Sequence, residues 1–156
     1  MPSLKKPDRR QLESWLNESN VDFTLCSDCN GLHISALQAL EGVVDARLLQ
    51  EQEGLLFSTG LEVRPMALLP LSADIHRMNI EHPNLKIFLD IVDDATPQLI
   101  IASYLAISAG LSREQFSIFV VMTLNSTRQL ANECLQMDYL FPEADSSEAG
   151  PSHALH

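Results

Sequence analysis

Apolar residues recur at intervals of three and four along three stretches of the chain, and this spacing predicts three amphipathic helices. The helices are expected over 8–19, from Pro70 to just before Pro83, and from Ser112 towards Met137. The first and third begin with the Asp/Ser-x-x-Gln spacing of a capping box. Each helix of a folded domain must bury one side, so Trp15 on the first helix and Phe116 on the third are expected to pack in the core.

Six further segments alternate apolar and polar residues or form short apolar runs, as β-strands do. They cover residues 21–25, 32–35, 43–49, 55–63, 85–91 and 99–107. The last is apolar on both faces, which predicts a central strand. Hairpin-length links leave no room for crossover helices, so an antiparallel sheet is expected. The order of elements, α-ββββ-α-ββ-α, predicts an α+β fold.

One domain is expected over residues 1–142. A chain of 156 residues that is 46% hydrophobic can bury about 70% of its unfolded surface without disulfides or a structural metal. Residues 143–156 are acidic and small and have no apolar period, which predicts a disordered acidic tail.

Charge and hydropathy exclude several classes of partner. The chain carries 10 Lys and Arg against 21 Asp and Glu, a net charge of −11, so we expect no nucleic-acid binding by the body of the domain. The first ten residues are net +3 and are expected to form a short solvated segment before the first helix. The most apolar stretch, 99–111, is shorter than the about 20 residues that a bilayer span needs, so no membrane insertion is expected.

Cysteine usage favours a reducing cytoplasm, because the three cysteines are an odd number and the N-terminus lacks the pattern of a secretory signal. Two of them form the sharpest local motif, Cys26-x2-Cys29-x3-His33, which could bind one soft cation. A closed zinc site needs a fourth ligand, and Cys134 is distant in sequence. The simplest interpretation is a hairpin turn with two half-buried thiols, with a metal site or a redox dithiol as alternatives.

No other pattern predicts a catalytic, cofactor or metal site. The nucleophile elbow, the phosphate loop and the dinucleotide fingerprint do not occur, so a non-enzymatic protein without a cofactor is expected. A polar hairpin is expected at the aspartates Asp90, Asp93 and Asp94. Other acids and histidines are expected to be solvated or packed without a chemical role: Glu13, Glu18, Asp45, Glu62, His76 and His82.

Six segments, in order and with similar spacing, resemble the YbjN family of enterobacterial regulators. They lie at 26–33, 55–58, 62–65, 69–74, 88–90 and 114–116. The first of them, Cys-Ser-Asp-Cys-Asn-Gly-Leu-His, contains the cysteine motif. The resemblance runs from about residue 10 to Pro142, so the acidic tail falls outside it.

The resemblance implies a fold similar to that of class I type III secretion chaperones, which agrees with the predicted order of elements. It also implies a cytoplasmic negative regulator of exopolysaccharide production, such as that of amylovoran, and of virulence. It supplies no catalytic residues. We therefore expect a regulator that binds another protein, or alternatively a chaperone-like binder of an extended client segment. The identity of the partner and the oligomeric state stay open.

Overall fold

The alternating segments form one six-stranded sheet in the computed structural model, which describes residues 4–26, 29–92 and 95–141. The strands are β1 (Phe23–Leu25), β2 (Leu32–Ile34), β3 (Val43–Gln50), β4 (Gly54–Glu62), β5 (Lys86–Asp90) and β6 (Gln98–Ala106). Their order in the sheet is β1-β2-β3-β4-β6-β5, and every neighbouring pair is antiparallel. The predicted α+β class and the antiparallel sheet are confirmed.

Four helices accompany the sheet in the described residues. They are α1 (Arg9–Glu18), α2 (Ser35–Gln38), α3 (Leu68–Glu81) and α4 (Arg113–Gln136), and a 3₁₀ turn at Pro65–Ala67 precedes α3. The three predicted helices are therefore present within about two residues of their expected ends, and α4 is the longest. No pattern in the sequence predicts α2, because a helix of four residues is too short to display a helical period.

Both predicted N-caps are present. The Asp8 side chain accepts a hydrogen bond from the Gln11 backbone N–H at 2.8 Å. At the start of α4, Ser112 Oγ accepts from the Gln115 N–H, and Gln115 Oε1 accepts from the Ser112 N–H at 2.9 Å, which completes a capping box. These bonds satisfy backbone donors that have no partner inside a helix and so determine where each helix begins.

The helices α1, α3 and α4 all pack on one face of the sheet, and we call the opposite side the outer face. On β4, for example, Phe57 and Leu61 are buried in the core, whereas Ser58 lies on the outer face. The outer face carries Thr24, His33, Asp45, Arg47, Leu56, Phe88, Ile100 and Tyr104. It is partly exposed to solvent along its length, as in antiparallel sheets with one covered face.

The core consists of two hydrophobic clusters that share α4. One joins the first half of α4 to α1 and includes the tilted aromatic pair of Trp15 and Phe116, whose ring centroids are 5.5 Å apart. The other joins the second half of α4 to α3 and to β5 and β6. Buried threonines lie at the middle of β4 and of α4, where one cluster gives way to the other. The prediction that Trp15 and Phe116 pack in the core is confirmed.

Strand β6 is interior, as predicted, because β4 and β5 pair with its two edges. Helices cover only one of its faces. Leu99 and Ile101 are buried beneath the helices, but Tyr104 on the outer face is 52% exposed. Apolar residues on both faces therefore reflect a partly apolar outer surface and not a second helical layer.

The N-terminal segment is anchored, whereas the sequence predicted a solvated one. The Lys5 carbonyl accepts a hydrogen bond from the Leu111 N–H at 3.0 Å, and the Pro7 carbonyl accepts one from Gln50 Nε2 at 2.7 Å. Gly110 has φ of +96°, and a Cβ there would collide with the Leu4 backbone. The lysine side chains are exposed, so their charges are solvated as predicted. The backbone of the segment is not, because it is bonded to the domain.

Two predictions concern residues outside the described ranges. These are the acidic tail at 143–156 and two aspartates, Asp93 and Asp94, of the polar hairpin. Among the described helices, none combines the length and the apolar composition that crossing a membrane requires.

An ion-pair network ties α3 to α4 and to the residues after it. Arg77 donates to Asp74 at 2.7 Å and 2.8 Å, to Glu81 at 2.6 Å and to Glu133 at 2.9 Å. Tyr139 donates its hydroxyl to Asp74 at 3.1 Å. The hydrogen bonds from Arg77, and more weakly from Tyr139, lower the pKa of Asp74 although partial burial opposes the change.

We expect the change Asp74→Asn to destabilise the protein by about 1 to 2 kcal/mol near neutral pH, because it weakens charge-assisted hydrogen bonds. A lowered folded-state pKa adds stability above the ordinary value of 3.8, and this stability is lost as the pH falls through the folded-state value. The difference between wild type and variant should therefore shrink in acid. Urea unfolding from neutral pH to below pH 3.8 measures this difference in stability. The control is Asp22→Asn, a change at an exposed aspartate. An equal difference at every pH would contradict the prediction.

Candidate functional site

The link between β1 and β2 brings the residues of the cysteine motif together. One ligand atom from each of Cys26, Cys29 and His33 lies within 4.8 Å of the others, and all three residues are half-buried. The Cys29 sulfur is 3.4 Å from Nε2 of His33. No other group of three potential metal ligands occurs in the part of the chain that the structure describes.

The alternation of β2 directs His33 to the outer face. Leu32 and Ile34 point into the core and are almost fully buried, so the residue between them must point the other way. His33 lies between Thr24 of β1 and Arg47 of β3 in the sheet register. Neighbouring strands therefore hold the imidazole from both sides.

Asp45 of β3 anchors the His33 ring. Its Oδ1 lies 3.0 Å from Nδ1 of His33 and also accepts from Gln38 Nε2 at 2.9 Å. Its Oδ2 lies 2.9 Å from Nε of Arg47. Gln38 Nε2 also lies 3.0 Å from Nδ1, so both polar neighbours approach this side of the ring and Nε2 faces the Cys29 sulfur.

Asp45 lies on the outer face of β3, and a β-bulge immediately precedes it. Val43 pairs with Leu61 in the core, whereas Asp45 pairs with Gly60 on the outer face, so the register shifts between Val43 and Asp45. The bulge lets both Val43 and Ala46 face the core, while Asp45, which immediately precedes the buried Ala46, faces outward.

Hydrogen bonds polarise the Cys29 thiol. The largest contribution comes from the Cys26 thiol and the next from the backbone N–H of Gly31, and together they lower the pKa of Cys29. His33 and Arg47 add smaller contributions in the same direction, and desolvation opposes them. The pKa of Cys29 is lowered to about 7. A thiol of this kind is substantially ionised near neutral pH and is nucleophilic and metal-binding.

Cys134 does not belong to this cluster. It lies on α4, buried within the second hydrophobic cluster, and desolvation raises its pKa to about 12. His82 is buried at the end of α3 and His76 is exposed, in accordance with the expectation of packed or surface histidines.

The residues that organise the cluster were not predicted from the sequence. Asp45 was expected to be a solvated acid without a role. The structure instead places it 3.0 Å from Nδ1 of His33, where it anchors the ring. Gln38 lies on the helix α2, which was not predicted. Arg47 faces the cluster because side chains alternate along β3. A carboxylate in a strand next to a histidine-bearing strand is the signal that could have indicated Asp45.

Fold and site together define a small α+β protein whose sheet is covered by helices on one face and carries a thiol, imidazole and carboxylate cluster on the other. The chain belongs to the YbjN family. The profile of this family, described as a "putative bacterial sensory transduction regulator", matches residues 8–136. The family resemblance noted in the sequence is confirmed.

Relatives over almost the whole chain agree with this membership. YbjN of Escherichia coli (strain K12) is 34% identical over 148 residues, which make up 95% of this chain and 94% of the relative. YbjN of Shigella flexneri gives the same values. The crystal structure of YbjN from E. coli, described as "a putative transcription regulator", matches with a TM-score of 0.84 and 34% identity, covering 90% of this chain and 99% of that chain. The observed fold is thus that of YbjN.

We expect iodoacetamide to alkylate Cys29 and to spare Cys134 in the folded, reduced and metal-free protein. The Cys29 rate should rise with a midpoint near pH 7, because the thiolate is the nucleophile, whereas burial and a pKa of about 12 protect Cys134. Mass spectrometry of labelled peptides measures both rates in one sample.

The change His33→Ala should move the Cys29 midpoint upwards, because it removes a hydrogen bond that lowers the pKa. Thr24→Ala, at the neighbouring exposed position of β1, should leave it unchanged. Labelling of Cys134 as fast as that of Cys29 would contradict the assignment of Cys29 as the reactive thiol and of Cys134 as the protected one.

Proposed function

We propose that the protein is a non-enzymatic cytoplasmic regulator that acts by binding another protein. An exposed apolar stripe on α3 is the observation that carries this proposal. The stripe consists of Leu69, Ala73 and Ile80, with Met66 in the preceding 3₁₀ turn at its end, and the exposed His76 interrupts it between Ala73 and Ile80. The description of the family as a sensory transduction regulator supports a signalling role.

The stripe occupies the side of α3 on which polar residues are normally found. Leu71 and Met78 are buried against the core, and at 100° per residue Leu69 and Ile80 point almost directly away from them. Leu69 is 84% exposed and Ile80 is 66% exposed. Solvent-facing apolar residues aligned along one helix mark a surface for a protein partner.

Charge argues against direct contact with DNA. The E. coli relative is described as a transcription regulator, but the net charge of −11 on this chain would repel a phosphate backbone. An effect on transcription would therefore pass through a protein, and a partner with basic groups around an apolar contact would complement this surface.

The finer role follows from the resemblance within the family. The chain resembles the amylovoran regulator AmyR, which supports negative control of exopolysaccharide production and of virulence. The cytoplasmic assignment is supported by three free thiols, which fit a reducing compartment.

A chaperone-like role is the second candidate, in which an extended client segment adds a strand to a sheet edge. The edge at β5 is unsuitable, because Asn79 exchanges two hydrogen bonds of 3.0 Å with the backbone of Ile87 and so takes the position of a strand partner. The edge at β1 favours this candidate, since Leu25 on that strand is 62% exposed.

The decisive experiment places a photo-crosslinking amino acid at Ala73 of the full-length protein in its own cells. Crosslinking is compared in three backgrounds: wild type, Leu69→Glu with Ile80→Glu, and Ser72→Glu. The last adds one negative charge to α3 outside the stripe, against two in the stripe variant. We expect a specific protein adduct in wild type and in Ser72→Glu that disappears in the stripe variant, together with higher exopolysaccharide output. Unfolding stability should change by no more than about 0.5 kcal/mol, because these positions are exposed.

A stable stripe variant that represses exopolysaccharide like wild type and keeps the adduct would overturn the proposal. Adducts that form from a crosslinker at Leu25, and not from one at Ala73, would favour the chaperone-like candidate instead.

A further inference from the structure

We propose that Cys26, Cys29 and His33 form a Zn²⁺ site with three protein ligands and a fourth coordination position open on the outer face. Binding joins zinc to the two sulfurs and to Nε2 of the imidazole, and both thiol protons pass to solvent. The proposal concerns a site remote from the α3 stripe and does not depend on the proposed partner.

The distances fit a single tetrahedral zinc. Zinc bonds of about 2.3 Å to sulfur and about 2.0 Å to nitrogen separate two such ligands by about 3.5 Å. The observed distance from the Cys29 sulfur to Nε2 of His33 is 3.4 Å. The ligand atoms of all three residues lie within 4.8 Å of one another, so contraction by about 1 Å completes the ligand set.

The surroundings of the ligands are those of a metal centre. Metal-bound histidines commonly donate their second ring N–H to a carboxylate, and Asp45 lies 3.0 Å from Nδ1 of His33. Asp45 is itself held by Gln38 and Arg47, at 2.9 Å from each. The ring is therefore oriented, with Nε2 directed at the Cys29 sulfur, before any ion arrives.

Ligand chemistry selects the ion. Two thiolates and an imidazole prefer zinc to the hard cations calcium and magnesium, which bind oxygen. Two thiolates also neutralise the charge of Zn²⁺, while Arg47 and Asp45 are paired with each other, so the centre adds little net charge to the surface. Half-burial of the ligands leaves one side of the ion accessible to water or to a side chain of another molecule.

The test titrates the reduced full-length protein with Co²⁺, which reports thiolate ligands through its charge-transfer absorption, and then displaces it with Zn²⁺. We expect one ion per chain, with Zn²⁺ retained against the chromophoric chelator 4-(2-pyridylazo)resorcinol. Cys26→Ser, Cys29→Ser and His33→Ala should each lose this retention. Cys134→Ser, which removes the thiol outside the cluster, should keep it, and circular dichroism verifies that every variant is folded.

A variant of Asp45, which contacts His33 and not the ion, makes the test sharper. Asp45→Asn keeps all three ligands, and we expect it to weaken zinc binding by about 10- to 100-fold without changing the cobalt spectrum. Competition titrations with the same chelator measure this change.

Three results would overturn the proposal. These are failure of the reduced protein to retain zinc, equal retention by Cys29→Ser and wild type, and loss of binding in folded Cys134→Ser. A Cys26–Cys29 disulfide in the purified protein, with no zinc bound after reduction, would replace the metal site by the redox dithiol.

Discussion

Burial of a single sheet face is the constraint on which the rest of the structure depends. The helices α1, α3 and α4 all cover the same side of six strands, so alternate residues of every strand must be apolar there. At 24 residues, α4 is about 36 Å long and contributes to both hydrophobic clusters. Its capping box therefore matters beyond its own first turn, because a shift of this helix would displace side chains in both clusters.

One-sided burial also leaves the outer face free for chemistry. Polar groups near the sheet can approach one another there without the desolvation that the core would impose. His33, Asp45 and Arg47 lie on adjacent strands and share hydrogen bonds, and the β1–β2 link brings two thiols to them. The fold therefore has two separate surfaces. The α3 stripe lies on the helical side of the sheet, and the thiol cluster lies on the outer face.

Much of the fold could be predicted because local patterns reflect burial directly. The six strands, three long helices and both N-caps were visible in periodicity and capping residues. The missed features have few residues or depend on distant ones. The helix α2 has four residues, and the anchoring of the N-terminus rests on hydrogen bonds to Gln50 and Leu111, which no local pattern reveals.

The sequence by itself determined the class of fold, the family and the residues of the cysteine motif, because periodicity, turn chemistry and spacing are local properties. Only the tertiary structure decided what surrounds that motif. Asp45 comes within 3.0 Å of His33 because β2 pairs with β3, and Gln38 reaches Asp45 from α2. Such contacts join residues through strand register, and a single inserted residue exchanges the two faces of a strand. The spacing of the motif could therefore suggest the ligands, but only the folded chain shows the carboxylate that orients them.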